Sequence, residues 1–222
     1  MIKRGLFILT VIMVVAGILS FAGTYIVDIK AFIESAVIRY ETDFTVDTTL
    51  ERWNLMLDSP LLMGRLWELY KFTPAYKVSL KDSDLYIVDP TGIKGYLFEI
   101  KSGTYDRIFY GRGTMKNWYI PFSLRGKALF LLHHTYSHNG VSVNLRIYGD
   151  KGDNVVMDLM LKAMSPILRR YINRRVMSNL SNLKIIIEDI EQNPEKISRS
   201  LHGQFLDDFS RLTSISVSKF TP

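Results

Sequence analysis

The sequence predicts an α+β fold with an antiparallel β-sheet and one long C-terminal helix, preceded by a single transmembrane helix. Three observations lead to this prediction. Residues 5–27 form an uncharged apolar run, and residues 75–149 contain short β-type runs separated by turn signals. Residues 157–190 repeat apolar side chains at steps of three or four. Since no helical pattern separates the β-type runs, the sheet is expected to be antiparallel.

Composition limits the classes of function. The chain has 222 residues, of which 47% are hydrophobic, so it can bury the core of one ordinary domain plus an appendage. It has no cysteine, which excludes disulfides, thiolate nucleophiles and cysteine-ligated metal. The net charge is +6, and Lys3 and Arg4 contribute two of these charges. The remainder falls short of a nucleic-acid-binding surface and favours contact with anionic lipid.

The N-terminal segment, residues 1–30, is predicted to anchor the chain in a membrane. Its apolar run is long enough to cross about 30 Å of hydrocarbon as a helix. Lys3 and Arg4 precede the run and Asp28 follows it, so the N-terminus is expected in the cytoplasm and the domain on the periplasmic or extracellular side. The alternative is a signal peptide cleaved before Gly23. The length of the run and its continuation beyond that site favour the uncleaved anchor.

The first elements after the anchor are a strand and a pair of short helices. Residues 36–46 alternate β-branched and aromatic side chains with polar ones, which predicts a strand. Residues 47–49 then offer capping oxygens for a helix. Pro60 ends that helix, because proline disfavours helical geometry in the residue before it. A second short helix is expected from about residue 61 to 70.

Six strand-like runs and one long helix follow. Asn139-Gly140 predicts a tight hairpin between the last two runs. The helix is predicted to kink at Pro166 and to end at residues 192–194. The C-terminal extension, residues 193–222, is expected to be either a short docked helix or a loose tail.

The stretch that contains Val46, Trp53, Asp58 and Pro60 resembles the opening of the START-like (SRPBCC) superfamily, which includes polyketide cyclases and lipid-transfer proteins. Together with the order of elements, this resemblance covers residues 36–190. It implies a helix-grip domain over residues 36–192, in which a curved sheet wraps around the long helix and leaves a cavity between them. The family's second tryptophan is approximated only by Trp67.

Catalytic and metal-binding motifs are not apparent. His133 and His134 are adjacent in a strand, so they should point to opposite faces and share no metal, one half-buried and one at the surface. Glu99 faces either solvent or the cavity as an acid. No acid–base pair, nucleophile motif or cofactor site is recognised, so the protein is predicted not to be an enzyme, with a cyclase or aromatase activity as the alternative from the resemblance.

The sequence therefore predicts a membrane-anchored domain that binds a lipid or other hydrophobic small molecule. The alternative is a non-catalytic subunit or assembly factor of a membrane-protein complex. The helical pair and the long helix are expected to line the cavity, because flexible methionines suit adaptable apolar pockets, with the tryptophans either at its rim or packed in the core. The expected lining residues are Trp53, Met56, Leu57, Trp67, Tyr86, Phe98, Met157, Leu161 and Met164. A basic band is either a solvated helix face or a contact for headgroups or a partner; its residues are Arg169, Arg170, Arg174 and Arg175.

Overall fold

The computed structural model describes residues 27–82, 84–90, 92–116, 124–138, 140–150 and 155–215. Of the predicted anchor segment, residues 1–30, only residues 27–30 are among those described. Within the described residues, no helix is both long and apolar enough to cross a bilayer. The side chains of Met157 and Met164 are also outside the description.

The elements follow the predicted order. They are α1 (Ile29–Ser35), β1 (Ile38–Val46), α2 (Leu50–Leu57), α3 (Pro60–Leu69), β2 (Lys77–Lys81), β3 (Asp84–Asp89), β4 (Ile93–Lys101), β5 (Asp106–Met115), β6 (Leu124–Ser137), β7 (Gly140–Gly149), α4 (Val155–Gln192), α5 (Pro194–Ser198) and α6 (Gln204–Ser214). The long helix therefore runs through Pro166 and ends where the sequence predicted.

The break between α2 and α3 arises from local chemistry. Thr49 caps α2, because its hydroxyl accepts a hydrogen bond from the backbone N–H of Arg52 at 3.1 Å. Asp58 is the C-terminal cap of α2, and Pro60 is the first residue of α3. Proline suits that first position, since its missing N–H would have no partner inside the helix. The predicted helical pair is confirmed.

The sheet has seven strands in the order β1-β7-β6-β5-β4-β3-β2, and every neighbouring pair is antiparallel. Ser137 pairs with Gly140, which fixes a two-residue connection between β6 and β7. Gly140 has φ +105°, a backbone conformation that L side chains rarely adopt. The predicted antiparallel sheet and its hairpin are thus confirmed.

The sheet curves around α4. Tyr40 on the edge strand β1 donates a hydrogen bond to Asn173 of α4 at 2.9 Å. Asp89, on β3 near the opposite edge, lies 3.2 Å from the guanidinium of Arg175. Strands from both sides of the sheet thus reach one turn of the same helix. A flat sheet of seven strands could not do this, because neighbouring strands lie about 4.8 Å apart.

Side chains of the strands alternate between two faces. The inner face packs against α2, α3 and α4, and its buried residues include Leu85, Leu97, Phe109, Phe130 and Leu145. The outer face carries a second, smaller cluster of Phe98, Tyr110 and Leu129, against which α1 packs.

The C-terminal extension is docked as far as residue 215. Ile197, Leu201, Phe209 and Leu212 are at most 2% exposed within the main core. The buried guanidinium of Arg52 holds this segment, since it bonds the carboxylate of Glu191 at 2.8 Å and two backbone carbonyl groups, those of Leu212 and Ile215. Of the two expectations, a docked helix is therefore the one observed over the described residues.

Candidate functional site

Four of the predicted lining residues lie in the closed core. Trp53, Met56, Leu57 and Trp67 are at most 3% exposed and pack between the helical pair and the inner face. The indole N–H of Trp67 donates to the carbonyl of Pro74 at 2.9 Å. The structure therefore assigns these side chains core packing, the second of the two roles that the sequence allowed for the tryptophans.

Leu161 is half-buried and packs against the same core from the first half of α4. It is the one predicted lining residue of α4 whose side chain is described.

The structure corrects the positions of Tyr86 and Phe98. Leu85 and Ile87 are buried on the inner face, so Tyr86 between them points outward. Leu97 is likewise on the inner face, and Phe98 joins the outer cluster. Neither side chain can face α4. The sequence contained this signal, because the apolar neighbours at alternate positions define which face is buried.

The size of the side chains on the inner face changes along the strands. One stretch of it, over the three adjacent strands β4, β5 and β6, carries no side chain larger than a methyl group. This small-residue patch consists of Gly95, Gly111, Gly113, Gly126 and Ala128, which adjoin one another in the register. These residues are half-buried or exposed, whereas Leu97, Phe109 and Phe130 farther along the same strands are nearly fully buried. At Gly126, which is exposed, solvent can reach the concave side of the sheet.

Two of these glycines show why the sheet bends here. Gly95 faces Gly113 across β4 and β5, and a Cβ built on Gly95 would overlap with the carbonyl oxygen of Arg112. Such close approach of two backbones is possible only without side chains. Gly126 differs, because a Cβ at that position meets no atom of the described residues within 4 Å. The first pair permits the curvature, and Gly126 borders open space.

A charged cluster lies on β3 at the same end of the sheet. The carboxylate of Asp89, which is 0% exposed, pairs with Arg175. Arg175 also donates to the hydroxyl of Tyr171 at 2.9 Å, and Asn179 donates to the hydroxyl of Tyr76 at 3.3 Å. Burial raises the pKa of the Tyr76 phenol, so this group stays protonated at neutral pH.

This cluster corrects the predicted basic band. Arg175 lies three residues after the buried Ile172, on the same side of α4, and therefore turns inward. Arg169, Arg170 and Arg174 are exposed, in agreement with a solvated face or a contact surface. The band thus consists of three residues instead of four.

A second charged cluster lies at the opposite end of the inner face. The guanidinium of Arg107 bonds the carboxylates of Asp58 and Glu99 and the side-chain oxygen of Asn54. Glu99 thus faces inward, which settles the two alternatives left by the sequence. Burial raises its pKa, although the charge of Arg107 opposes this shift. Arg107 was not predicted as a site residue, although it lies two positions from the inward Phe109 on β5.

His134 lies beside this cluster and is 0% exposed. Its ring meets that of Trp53 edge-on at 6.2 Å. Within the described residues, no partner with good hydrogen-bond geometry is found for either ring nitrogen of His134, for Trp53 Nε1 or for Arg107 Nε. Burial lowers the pKa of His134, partly opposed by the backbone of Thr104, so the imidazole is held neutral. His133 is exposed and pairs with Asp106, as expected for adjacent strand residues that point to opposite faces.

This second cluster supplies salt bridges and hydrogen bonds that stabilise the fold. Glu99 is held by Arg107, so it is not free to exchange protons with a substrate. Among the described residues, no group of three or more histidine or acidic side chains could hold a metal ion. The cluster ties α2 to the sheet and offers unpaired donors within the core.

A separate open cleft of about 390 Å³ lies between α3, β2 and the C-terminal segment. Its lining includes Leu61, Gly64, Val78, His202 and Phe205. None of the predicted lining residues borders it, so it is distinct from the space inside the sheet.

Comparisons with known proteins give limited similarity. No model of a known protein family matches the sequence, and a search of curated proteins finds no match. Among solved structures, MLL2253 from Mesorhizobium loti is 12% identical with a TM-score of 0.31, over 62% of this chain and 96% of that one. Mll3558 from Rhizobium loti is 10% identical with a TM-score of 0.36, over 58% and 94%. DynU16, from the dynemicin biosynthetic locus, is 9% identical with a TM-score of 0.33, over 64% and 48%. At this level nothing about these proteins' activities transfers to the chain.

Proposed function

We propose that this chain is a membrane-anchored, START-like binding domain that holds a lipid or another hydrophobic molecule between its sheet and α4. Binding is its proposed role, without catalysis. The small-residue patch carries this proposal. An interface that served only as core would be filled by large side chains, as the neighbouring positions Leu97, Phe109 and Phe130 are.

The surroundings of the patch suit an amphipathic ligand. Burying apolar ligand surface contributes about 25 cal/mol per Å². A few fixed polar groups are then enough to orient a ligand's head. The Asp89–Arg175 pair and the hydroxyl of Tyr171 offer such groups near the patch. Leu161 offers apolar surface from the helix.

The proposed membrane attachment rests on residues 5–27. Their uncharged run leads into α1 without a linker, since Asp28 caps the first turn of that helix. An anchor of this kind would hold the binding domain close to a store of lipid.

Native mass spectrometry of the full chain, released from detergent, tests the ligand. We expect a bound hydrophobic molecule on the wild-type chain and its loss in Ala128→Trp, which fills the space beside the patch. Gly126→Trp is a second blocking variant, because a Cβ at that position meets no atom within 4 Å in the described part of the chain. Thr135→Trp is the matched control, since Thr135 lies on the same strand but is exposed on the outer face.

The four proteins separate binding in the cavity from lipid held by the anchor. Lipid bound to residues 5–27 would remain in all of them. Loss in both blocking variants with retention in Thr135→Trp supports the proposal, provided that circular dichroism shows all four to be folded. Equal adducts in all four folded proteins would refute it.

The alternative function is that of a subunit or assembly factor in a membrane complex. The exposed arginines of α4 favour this alternative, because Arg169, Arg170 and Arg174 have no carboxylate at ion-pair distance among the described residues. Changing the three to glutamine should then abolish co-purification of a partner from gently solubilised membranes. The control variant Lys184→Gln, which removes one exposed cation from α4, should leave such a partner bound.

A further inference from the structure

The outer face of the sheet carries a continuous row of aromatic rings. The row starts at α1, where Phe32 meets Tyr110 edge-on at 6.2 Å. It continues to Phe98 at 6.3 Å, to Tyr96 at 6.3 Å and to Tyr86 at 5.0 Å. α1 packs against the first part of the row. Tyr96 and Tyr86, at the far end, are only half-buried.

Cations are interleaved with these rings. The guanidinium of Arg112 lies 5.5 Å from the centroid of Tyr96 and 5.2 Å from that of Phe98. The ammonium of Lys81 lies 5.3 Å from the centroid of Tyr86. Lys94 is exposed on the same face, next to Tyr96 along β4. Tyrosines interleaved with lysine and arginine are typical of the interface between a membrane and water.

Few acidic side chains lie on the part of the outer face around β4. The outward positions of β4 hold no carboxylate, and those of β5 hold only Asp106, which pairs with His133 at 2.8 Å. Glu41 lies on β1 at the other edge of the sheet, where Arg146 pairs with it at 2.9 Å. On the neighbouring β3, Asp84 also faces outward, opposite Lys81. Because Lys81, Lys94 and Arg112 outnumber this carboxylate, the part of the outer face around β4 is net positive and complements an anionic surface.

The position of α1 also places this outer face next to the predicted anchor. Val27, the last residue of the apolar run, packs on the outer cluster together with Ile29 and Ile33 of α1. The chain thus leaves the predicted anchor on the outer face, with no intervening linker. If residues 5–27 are in a bilayer, this face is the one held next to it.

We propose that the outer face around Tyr86, Tyr96, Lys94 and Arg112 lies against anionic lipid headgroups. This inference rests on the proposed membrane attachment. The contact orients the domain so that the sheet's convex side faces the bilayer and α4 faces away from it. Headgroups supply the negative charge, and the tyrosine rings lie at headgroup level.

Site-directed labelling tests this orientation without interference, because the chain has no cysteine. A fluorophore on Thr114→Cys reports on the outer face, since Thr114 pairs with Lys94 there. A fluorophore on Ser181→Cys reports on the exposed side of α4. Each full chain is reconstituted in phosphatidylcholine vesicles with or without phosphatidylglycerol. The vesicles carry a nitroxide quencher on their headgroups.

We expect strong quenching at position 114 in vesicles with phosphatidylglycerol, weaker quenching without it, and little at position 181. High salt should release the face, because it screens exposed charges. Lys94→Gln should weaken the docked state about fivefold, the effect of one cation near an anionic surface. Lys184→Gln, which removes one exposed cation from α4, should leave it unchanged.

The outcomes separate this inference from the proposed function. In one outcome, the chain stays bound to phosphatidylcholine vesicles while, in vesicles with phosphatidylglycerol, positions 114 and 181 are quenched equally or not at all. That result would contradict the docking proposal and leave the anchor proposal intact. A chain that floats with neither vesicle overturns both. A label at position 114 that only native membrane proteins protect would indicate a protein contact and also overturn the lipid proposal. The ligand measured by mass spectrometry is independent of all three.

Discussion

Arg107 lies 3.1 Å from the carboxylate of Glu99, and both side chains are about 5% exposed at the inner face of the sheet. One buried cation thus compensates one buried carboxylate where α2 meets β4 and β5. Because the charge of Glu99 would cost several kcal/mol to bury alone, the pair determines whether this end of the inner face can form.

Removing the cation should therefore be costly. Arg107→Gln is expected to lower the free energy of unfolding by about 3 kcal/mol, measured by urea denaturation. Arg65→Gln is the matched control, because Arg65 and Glu68 form an exposed pair, and its loss should be about 0.5 kcal/mol. Similar losses of unfolding free energy in the two variants would show that the buried Arg107–Glu99 pair stabilises the fold no more than an exposed pair does.

The neutral state of His134 should make stability depend on pH. Below the ordinary histidine pKa of 6.5 the unfolded chain takes up a proton that the folded protein excludes. The unfolded state then binds more protons, so stability falls as the pH falls below 6.5. The raised pKa of Glu99 acts in the opposite direction above its ordinary value of 4.5.

His134→Asn isolates the histidine, since Glu99 is unchanged in that variant. The free energy of unfolding of the wild-type chain should fall more steeply toward low pH than that of His134→Asn. His133→Asn should retain the wild-type slope, because His134 is still present. Parallel profiles for wild type and His134→Asn would contradict the assignment of His134 as a buried neutral group.

The curvature of the sheet depends on Gly95. Gly95→Ala should destabilise the fold by about 2 kcal/mol, because its Cβ would overlap with the backbone of β5. Gly126→Ala, on the same face, should change stability by about 0.5 kcal/mol or less. Thermal unfolding of the two variants checks this difference. Equal stability would mean that the close approach of β4 and β5 is not needed.

Arg52 should control the docking of the C-terminal segment. Arg52→Ala removes the donor for two carbonyl groups near the end of α6, those of Leu212 and Ile215. Amide exchange in residues 204–215 should accelerate about tenfold, as measured by hydrogen–deuterium exchange. Arg199→Ala is the control, since Arg199 is 80% exposed in its pair with Glu195. An unchanged exchange rate in Arg52→Ala would mean that apolar packing alone holds α6.

Local patterns were sufficient for the elements of this fold. The threonine cap, Pro60 and the Asn139-Gly140 turn act within a few residues, so their effects can be read from sequence. Alternation also separated His133 from His134. These features required no knowledge of what packs against them.

Long-range partners were not accessible in the same way. The cluster of arginines in the sequence predicts a basic band that includes Arg175, although Arg175 lies on the same side of α4 as the buried Ile172. Its partner Asp89 is 86 residues away and meets it only because the sheet curves. The prediction that Tyr86 and Phe98 line the cavity is wrong, because each alternates with buried inner-face residues, Leu85 and Leu97 among them, and therefore points outward.

The most direct test of the proposed function is to locate the ligand. A photoactivatable fatty acid is added to the full chain in phosphatidylcholine nanodiscs and activated by light. The adducts are then mapped to single residues by mass spectrometry. The proposal predicts adducts around Gly111, Ala128 and Leu161, which disappear in Ala128→Trp and persist in Thr135→Trp. Adducts confined to residues 1–27 and the outer face, unchanged in Ala128→Trp, would contradict it.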